Sequence, residues 1–595
     1  MSKPGTVSPL AEYSRCLEAR RMAVARQEKT EVRIAVLRLS AFFAAGILAW
    51  LAFGAGEISP WWLAIPASFF LCLVVLHERV RRTRRSLVRA VAFFERGIAR
   101  LENRWAGTGA TGDRFLDKSH PYAEDLDLFG KGSLFELICR ARTRAGENTL
   151  ADWLTGAAAP EVIRGRQAAV EELRGRLDLR ENLAVAGDEV PAGVNPDALA
   201  AWGQAPPLLT SRVLRIAAAA LASATTLSLV WWLARDSGRE VFFLLVLSEA
   251  LFALSLRRSI RSVIMAVEKP GQDLALLSRV LLLLEQQKFN APRLLELRRM
   301  LDIRGLPSSR RIARLDRLIV MREQLFAPIA ALFLWNIQMA FAIEAWRKES
   351  GTHVAGWLSV VGEMEALASL GGHAFEHPDD PFPELVAEGP HFEALDLGHP
   401  LIPESVCVRN DVRLCSDLRV LVVSGSNMSG KSTFLRTVGV NAVLAMAGAT
   451  VRARYLSLSP LSVGASILRR DSLQEGTSRF YAEITRLRRL VDLTTGSAPL
   501  IFLLDELLHG TNSHDRSIGA EAVIRDLVRR GAIGLLTTHD LALAHIADAL
   551  APQAENVHFE DSIVDGRMVF DYRLHPGVVR KSNALELMRS VGLQI

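Results

Sequence analysis

The sequence predicts a multidomain protein in which apolar and basic helices precede a C-terminal α/β domain. Two observations lead to this prediction. Long runs in the first half of the chain are almost free of charge, although charged residues make up 23% of its 595 residues, and such runs are typical of helices in lipid. After residue 383, short apolar strands alternate with helical segments, which is the rhythm of an α/β fold.

Composition narrows the class of protein only in part. The chain has 71 Lys and Arg against 65 Asp and Glu, a net charge of +6, which fits nucleic acid, an anionic membrane surface, or neither as a partner. Its cysteines show neither CxxC spacing nor pairing with histidine, so they indicate neither a zinc site nor a disulfide framework. We expect reduced thiols facing a cytosol. They are Cys16, Cys72, Cys139, Cys407 and Cys415.

A first pair of apolar runs covers residues 39–56 and 58–76, separated by Glu57. Each is roughly long enough to cross the ~30 Å hydrocarbon core of a bilayer, so we expect a transmembrane hairpin. A buried hairpin in a soluble protein is the alternative. The stretch before residue 39 is polar and basic, unlike a secretory signal, so the N-terminus should stay inside. Basic flanks place both ends of the hairpin in the cytoplasm; they are Arg33, Arg38, Arg79, Arg81, Arg82, Arg84 and Arg85.

A second pair of runs covers residues 216–234 and 241–256. The latter is short and contains Glu249, so this pair either spans the membrane or lies partly in its interface. Residues 325–343 include polar side chains that lipid would penalise, and we expect a core helix packed against protein there. Helical spacing of apolar residues predicts an amphipathic cytoplasmic helix over residues 79–105.

Residues 271–322 have a helical pattern rich in arginine. These side chains either follow nucleic-acid phosphates or form a solvated helix face near the membrane. They are Arg293, Arg298, Arg299, Arg304, Arg310, Arg311, Arg314, Arg317 and Arg322. The proline-rich residues 377–383 then predict a linker before the α/β part.

A phosphate-loop motif of the form GxxxxGKS follows the apolar run 420–424 and precedes a helical pattern. Its glycines allow a tight loop whose backbone N–H groups surround a phosphate at a helix N-terminus. We expect Lys431 to reach the β- and γ-phosphates of ATP and Ser432 to bind Mg²⁺. The nucleotide-binding residues predicted here are Gly425, Ser426, Asn427, Met428, Ser429, Gly430, Lys431, Ser432 and Thr433.

Two later strands end in side chains suited to hydrolysis. The apolar residues 500–504 lead into Asp505 and Glu506. Asp505 is expected to hold Mg²⁺ partly through water, and Glu506 to orient or deprotonate the attacking water. Residues 532–536 lead to His539, which would sense the γ-phosphate. The predicted catalytic residues are therefore Glu506, Lys431 and His539.

Four motifs, in this order, resemble the ATPase domain of the MutS family. They are the Asn-Met phosphate loop at 425–433, the segment DSLQEGTSRFYAE at 471–483, the acidic motif DELLHGTNS at 505–513, and Thr538 with His539. The resemblance implies a dimer in which Ser478 of one subunit completes the nucleotide site of the other, with residues 511–513 near the interface. The sequence has no LSGGQ-like segment, unlike ordinary transporter ATPases.

A fainter resemblance to the helical lever of the same family begins at residues 133–170 and returns at 326–370. The chain departs from the family upstream, where apolar runs and basic helices occupy the length of the mismatch-binding domains. A Phe-x-Glu pattern does occur at Phe93 and Glu95, but core packing explains it better than base stacking. The hairpin at 216–256 interrupts the lever near the family's DNA clamp. These departures suggest that membrane anchoring replaces part of the DNA-embracing apparatus.

The expected domain plan has six parts: an N-terminal region with a transmembrane hairpin and basic helix (1–110), the first part of the lever (111–210), a second transmembrane hairpin (211–260), the second part of the lever (261–376), a linker (377–394) and an α/β P-loop ATPase domain (395–595). The N-terminus and the ATPase domain would lie on the cytoplasmic side of a multipass cytoplasmic (inner) membrane protein.

The favoured function is ATP binding and Mg²⁺-dependent hydrolysis by a membrane-anchored homodimer with DNA-binding, mismatch-repair-related ancestry. Its expected partners are ATP, a second copy of the chain, the lipid bilayer and, as a further candidate, DNA. The alternative is a membrane-bound, ATP-driven switch or scaffold that acts on a protein or lipid without mismatch recognition.

Overall fold

The computed structural model describes residues 8–56, 59–187, 196–303, 305–324, 327–426, 428–467, 479–508, 513–564 and 567–579. Within these ranges the chain is mostly helical up to Glu376, and mixed α/β sheets follow. The predicted change from apolar and basic helices to an α/β part is therefore confirmed.

The N-terminal region is an antiparallel hairpin of α1 (Pro9–Phe53) and α2 (Ala64–Leu101), joined through the 3₁₀ helix Pro60–Leu63. The Ser8 hydroxyl accepts a hydrogen bond from the amide of Ala11 and so caps α1. Ile34 and Leu73 pack together between the two helices. Most of each predicted apolar run lies in a longer helix, residues 39–53 in α1 and residues 64–76 in α2. The amphipathic helix predicted over residues 79–105 is the continuation of α2 as far as Leu101.

Apolar side chains of this hairpin point away from the rest of the protein. Phe53 is 72% exposed and Trp61 is 85% exposed. Within the described ranges, three helices are long and apolar enough to cross a membrane: α1, the stretch Trp61–Leu101, and the later helix Arg212–Arg235. Further exposed apolar residues of the hairpin are Phe42, Phe43, Ile47, Trp50, Trp62, Ile65, Phe69 and Leu71.

The next helices form one packed region. They are α3 (Leu134–Ile138), α4 (Arg144–Thr155), α5 (Pro160–Arg174), α6 (Leu177–Gly187), α7 (Pro196–Gln204), α8 (Arg212–Arg235), α9 (Arg239–Gln286), α10 (Pro292–Arg299), α11 (Ser308–Gln324), α12 (Ala327–Leu332), α13 (Trp335–Ser350) and α14 (Val354–Glu376). Short 3₁₀ helices lie at Asp113–Phe115 and Gly351–His353, and strands β1 (Asp302–Ile303) and β2 (Leu306–Pro307) form a small antiparallel pair.

The second predicted hairpin corresponds to α8 and the first part of α9, which pack against each other. Among the described residues, α8 meets the length and hydropathy expected of a membrane span, whereas α9 does not. The apolar run in α9 is short, contains Glu249, and continues without a break into the polar and basic part of the same helix. This outcome leaves α8 as the stronger membrane candidate of the pair.

The core helix predicted over residues 325–343 is two helices, α12 and α13. Leu334 has the left-handed backbone conformation, with φ of 47°, and this breaks the helix between them. The interior position is as expected for α13, because Ile337, Phe341 and Trp346 are buried. Residues 325 and 326 lie outside the described residues.

Helix α14 is the centre of the helical region. Most of its side chains are buried, and it packs against α4, α5 and α7; a helix that is apolar around most of its surface belongs in a core. Gly362 lets α4 approach closely, since a Cβ there would lie 2.7 Å from the Thr149 hydroxyl. α14 ends at Glu376, and the predicted linker at 377–383 follows without helix or strand.

The rest of the described chain contains two sheets and the helices that pack on them. The first has the strand order β3 (Glu384–Leu385), β7 (Tyr455–Leu458), β4 (Phe392–Leu397) and β5 (Asn410–Leu414). The second has the order β12 (Arg567–Pro576), β11 (Ala554–Val564), β6 (Val420–Ser424), β10 (Ile533–Thr538), β9 (Leu500–Asp505) and β8 (Ser462–Ser466). Its five strands from β11 to β8 are parallel, and β12 is antiparallel to β11.

Helices cover both faces of the six-stranded sheet, which explains its nearly continuous apolar strands. Side chains of β6 alternate: Leu421 and Val423 join the core shared with α15 (Lys431–Ala447) and the helical region. Val420 and Val422 face the opposite core. That second core is formed with α16 (Arg479–Leu493), α17 (Ser513–Arg529) and α18 (Leu541–Ala549).

A buried carboxylate joins the N-terminal hairpin to the helical region. Glu376, 0% exposed, pairs with Arg100 of α2 at 2.7 Å and with Arg140, which precedes α4, at 2.5 Å. The Tyr13 hydroxyl donates to the same carboxylate at 3.1 Å. Burial alone would raise the pKa of Glu376, but the two guanidinium groups hold it well below its usual value.

We expect Glu376→Gln to destabilise the protein by about 3–5 kcal/mol, because it leaves two buried arginines without their counter-charge. Tyr13→Phe is the matched control and should cost only about 1 kcal/mol. Because the folded-state pKa is depressed, this stabilisation is present above the unfolded-state pKa and is lost only as pH falls through the lower folded value. Denaturation of the purified protein gives the free energy of unfolding of both variants. An equal decrease in the two variants would contradict the assigned role of the Glu376 charge.

Candidate functional site

The predicted site residues collect at the carboxyl edge of the six-stranded sheet. Strand pairing sets Thr538 beside Ser424 and Thr537 beside Asp505, so β6, β9 and β10 end next to one another. In open parallel sheets this edge is where ligands bind. The loop 425–430 leaves β6 here and leads directly into α15.

The loop conformation depends on its two glycines. Gly425 has φ of +153° and Gly430 has φ of +98°, a range that side chains disfavour. A Cβ on Gly425 would lie 2.8 Å from the Ser429 hydroxyl. The hydroxyls of Ser426 and Ser429 are buried, and in the part of the chain that the structure describes they have no hydrogen-bond partner. The loop thus presents unused polar groups at the N-terminus of a 17-residue helix, an arrangement suited to an anion.

Lys431 begins α15 and is buried. Its ammonium donates to the carbonyl oxygens of Gly425 at 2.9 Å and Ser426 at 2.8 Å. The loop therefore folds around this cation. Met428 stands on the outside of the loop, 86% exposed, and Thr433 lines the cavity described below.

Asp505 lies between two hydroxyl groups. Ser432 donates to one carboxylate oxygen at 2.7 Å, and Thr537 donates to the other. A hydroxyl and a carboxylate are oxygen ligands of the kind that Mg²⁺ takes in phosphoryl-transfer sites. The structure thus brings together the two residues predicted to hold the metal.

Glu506 is buried and has the unusual φ of 51°. Its amide donates to the Thr537 carbonyl at 3.2 Å, which holds the turn after β9 against β10. One Glu506 carboxylate oxygen lies 3.1 Å from Nδ1 of His539. Backbone conformations of this kind cost roughly 1–3 kcal/mol and concentrate at functional sites. Two of the three predicted catalytic side chains, Glu506 and His539, are therefore in contact.

Lys431, Ser432, Asp505 and Glu506 line a cavity of about 690 Å³, within the usual range for small-molecule and cofactor sites. His539 contacts Glu506 from outside this lining. The polar side of the cavity consists of Lys431, Ser432, Asp505 and Glu506, together with the hydroxyl of Thr433. Its opposite side is largely apolar and comes from the segment between β4 and β5 and from β12; it includes His399, Ile402, Val406, Val408 and Tyr572.

Several predictions fall on residues that the structure leaves out. Asn427 and Ser478 lie outside the described residues, as do 471–477 and 509–512. The in-trans role of Ser478 and the interface role of 511–513 therefore stay predictions. The remainder of the 471–483 segment starts α16, where the Glu483 carboxylate accepts a hydrogen bond from the Leu508 amide.

Sequence reasoning missed three contributors to the site. Thr537 belongs to none of the predicted site residues, and its bond to Asp505 follows from the register of β9 and β10. The apolar wall and Tyr572 come from distant segments without a recognisable motif. The segment 120–129 packs below the site: the Asp125 carboxylate accepts from the Ile467 amide at 2.8 Å and pairs with Arg486 of α16.

Comparison with known proteins agrees with the motif resemblance. Residues 421–594 match the family model described as MutS domain V. The chain is 37% identical over 240 residues to DNA mismatch repair protein MutS 2 of Halobacterium salinarum, a match that covers 39% of this chain and 26% of the relative. It is 33% identical over 215 residues to Endonuclease MutS2 of Thermus thermophilus, covering 35% of this chain and 27% of the relative.

A third relative is DNA mismatch repair protein MutS of an Exiguobacterium species, 35% identical over 200 residues, which are 32% of this chain and 23% of the relative. The chain thus spans about a quarter of the length of these relatives. The matched part contains the loop at 425–433, Asp505, Glu506 and His539. Through this C-terminal region the chain is related to the MutS family.

Proposed function

We propose that the protein is a membrane-anchored ATPase that binds Mg-ATP in the 690 Å³ cavity and works as a homodimer. The observation that carries this proposal is the grouping of Lys431, the Ser432–Asp505 pair and the Glu506–His539 pair at one sheet edge. It matches the charge pattern that phosphoryl transfer needs: cations and N–H groups for the phosphates, and a carboxylate for the nucleophile.

Each residue of the site would have a separate role in ATP hydrolysis. The 425–430 loop amides and Lys431 would hold the phosphates; Lys431 must then exchange its carbonyl partners for phosphate oxygens. Mg²⁺ bound by Ser432 and Asp505 would neutralise charge on the phosphate oxygens. Glu506 would accept a proton from the water that attacks the γ-phosphorus, while the bond to the β–γ bridging oxygen breaks to give ADP and phosphate. His539, in contact with Glu506, would orient that carboxylate.

The hairpin α1–α2 and helix α8 supply the proposed membrane anchor. Large apolar side chains that are exposed on these helices would be unfavourable in water, and contiguous apolar surface of this kind marks a membrane or protein contact. Tryptophans cluster at the tips, with Trp50, Trp61 and Trp62 on one hairpin and Trp231 at the end of α8. Such residues favour the membrane–water interface.

The polar halves of α1 and α2 stay with the helical region. Arg20 of α1 pairs with Glu181 of α6 at 2.7 Å, and Arg84 of α2 pairs with Glu31 of α1 at 2.7 Å. The basic ends of the hairpin are thus on the same side as the α/β part. By the positive-inside rule both would lie in the cytoplasm, which agrees with a cytoplasmic-membrane location.

A continuous series of contacts leads from the cavity to the hairpin. In α15, Arg436 donates to the Asp125 carbonyl at 2.9 Å, and Leu126 packs closely against Gly439. Residues 122–135 share a core with α4 and α14. At the end of α14, Glu376 binds Arg100 and Tyr13 of the hairpin. Closure around ATP could move the hairpin by this route.

DNA is the second candidate target, because relatives are named as mismatch repair proteins. The arginine-rich segment gives it limited support. Arg293 pairs with Glu363 at 2.6 Å and with Glu296 at 2.5 Å, and Arg311 pairs with Glu349 at 3.1 Å. Arginines neutralised by protein carboxylates attract phosphates less. We therefore favour a switch acting on a protein or lipid partner.

Lys431→Ala should abolish ATP binding, because it removes the buried cation of the loop. Glu506→Gln should still bind ATP but hydrolyse it about 100-fold more slowly or worse, as expected for loss of a general base. Glu521→Gln on the surface of α17 is the control and should behave as wild type. ATP binding and phosphate release by the detergent-solubilised protein test this; wild-type turnover in Glu506→Gln would refute the assignment.

Cys72 reports on membrane insertion, because it is exposed on α2 within the apolar run. We expect a water-soluble maleimide to label it in native membranes at least about tenfold more slowly than an aqueous cysteine, since hydrocarbon excludes the polar reagent. The variant for this test retains Cys72 alone, with the other four cysteines replaced.

The matched control replaces Cys72 as well and carries Arg529→Cys, because the Arg529 side chain is 70% exposed on α17. Both positions are exposed in the folded chain, so only lipid distinguishes them. Equal labelling rates would mean that α2 lies in water, and the proposed anchor would be wrong.

ATP turnover should be unaffected by perfect, mismatched or branched DNA at two salt concentrations, because the favoured switch acts on a protein or lipid partner. Stimulation or inhibition confined to one DNA structure, and weakened by salt, would instead establish the DNA-directed candidate. Glu506→Gln serves as the blank for contaminating ATPases.

A further inference from the structure

A cluster of metal-ligating side chains lies at the junction of the helical and α/β parts, away from the nucleotide cavity. His373 and His377 are one helical turn apart at the end of α14, and Asp380 follows in the linker. One ligand atom from each residue lies within 4.8 Å of the other two. The cysteine pattern of the sequence does not indicate this cluster, because its three members are two histidines and an aspartate.

We propose that His373, His377 and Asp380 bind a divalent transition-metal ion of the zinc class. Two imidazoles and one carboxylate are a donor set that suits zinc and disfavours Mg²⁺, which prefers oxygen ligands. A fourth position would remain for water, since His377 is only half-buried at the protein surface.

The surroundings of each ligand fit this assignment. Nδ1 of His377 lies 3.1 Å from the His373 carbonyl oxygen, so it can donate there and leave Nε2 for a metal, the usual arrangement of a metal-binding histidine. Nδ1 of His373 is buried and, within the described ranges, has no hydrogen-bond partner. Such a group costs free energy unless something binds it.

Asp380 is held ready by its neighbours. Its amide donates to the His377 carbonyl at 3.2 Å, which turns the linker back toward the helix. The Arg452 guanidinium lies 3.4 Å from one Asp380 carboxylate oxygen. Partners of this kind commonly orient a carboxylate that binds a metal. Zinc needs ligand atoms roughly 3.4 Å apart in a tetrahedron with bonds of about 2.1 Å, so the group would contract by roughly 1 Å.

A metal here would fix the angle between α14 and the α/β part. The amide of Arg452 donates to the side chain of Asn441 at 2.8 Å, and Asn441 belongs to α15, the helix that starts at Lys431. The site would therefore fasten the end of the central helix to the element that carries the nucleotide loop. This inference does not depend on ATP hydrolysis.

The test uses full-length, detergent-solubilised protein without a polyhistidine tag, stripped with a chelator and free of nucleotide. Calorimetric titration with Zn²⁺ should give one ion per chain at low micromolar concentration, and Co²⁺ should give the intense visible bands of tetrahedral coordination. Zinc should also raise the melting temperature, as any ligand of the folded state does.

His377→Ala and Asp380→Asn should each lose the zinc-dependent rise in melting temperature and the cobalt bands. His377→Ala is the change expected to preserve the fold, because His377 is partly exposed. Asp380→Asn also removes a counter-charge of buried Arg452, so its melting temperature without metal is measured first and only the zinc-dependent change is compared. His391→Ala, a half-buried histidine elsewhere, and Asp505→Asn in the nucleotide cavity should bind zinc as wild type. Absence of zinc binding by the wild type, or unchanged binding by His377→Ala and Asp380→Asn, would overturn the proposal.

Discussion

The ion pairs of Glu376 are the constraint on which the arrangement of the helical part depends. Burying a carboxylate is unfavourable unless opposite charge and hydrogen bonds compensate it, and here two arginines and a tyrosine from three separate segments do so. The partners are distant in the chain, so the pairing can form only when the hairpin, the segment before α4 and the end of α14 meet. This single carboxylate therefore determines where the outward-facing hairpin sits relative to the α/β part.

The grouping of the candidate site residues follows from the strand order of the six-stranded sheet. Because β6, β9 and β10 are parallel neighbours, their carboxyl ends meet, and residues separated by more than a hundred positions become one site. Asp505 shows how finely register acts, since a shift of one residue would turn its side chain to the other face of the sheet. Its two hydroxyl partners, Ser432 and Thr537, come from different elements and meet it only in this register.

The protein has an apolar surface on the hairpin and α8 and a charged surface on the arginine-rich segment. Exposed aromatic and aliphatic side chains cover the hairpin and α8, where water would be costly and hydrocarbon would not. Two arginines of the segment between α10 and α13, Arg293 and Arg311, are paired with glutamates. Their charge is therefore partly neutralised within the protein.

The sequence by itself determined the features that local chemistry encodes. The GxxxxGKS loop between a strand and a helix, the apolar strand before Asp505 and Glu506, and the uncharged runs each specify their own local structure, because glycine conformation, strand burial and helix hydropathy are properties of adjacent residues. The order of motifs was also sufficient to recognise the MutS family.

Only the tertiary structure decided the relations between distant segments. It joined residues 64–76 of the second apolar run and the amphipathic segment after them into one helix, divided the predicted core helix at Leu334, and brought Thr537 to Asp505. It also placed Arg452 beside Asp380. These contacts depend on packing and strand register across long separations, and no periodicity within one segment records which other segment will lie against it.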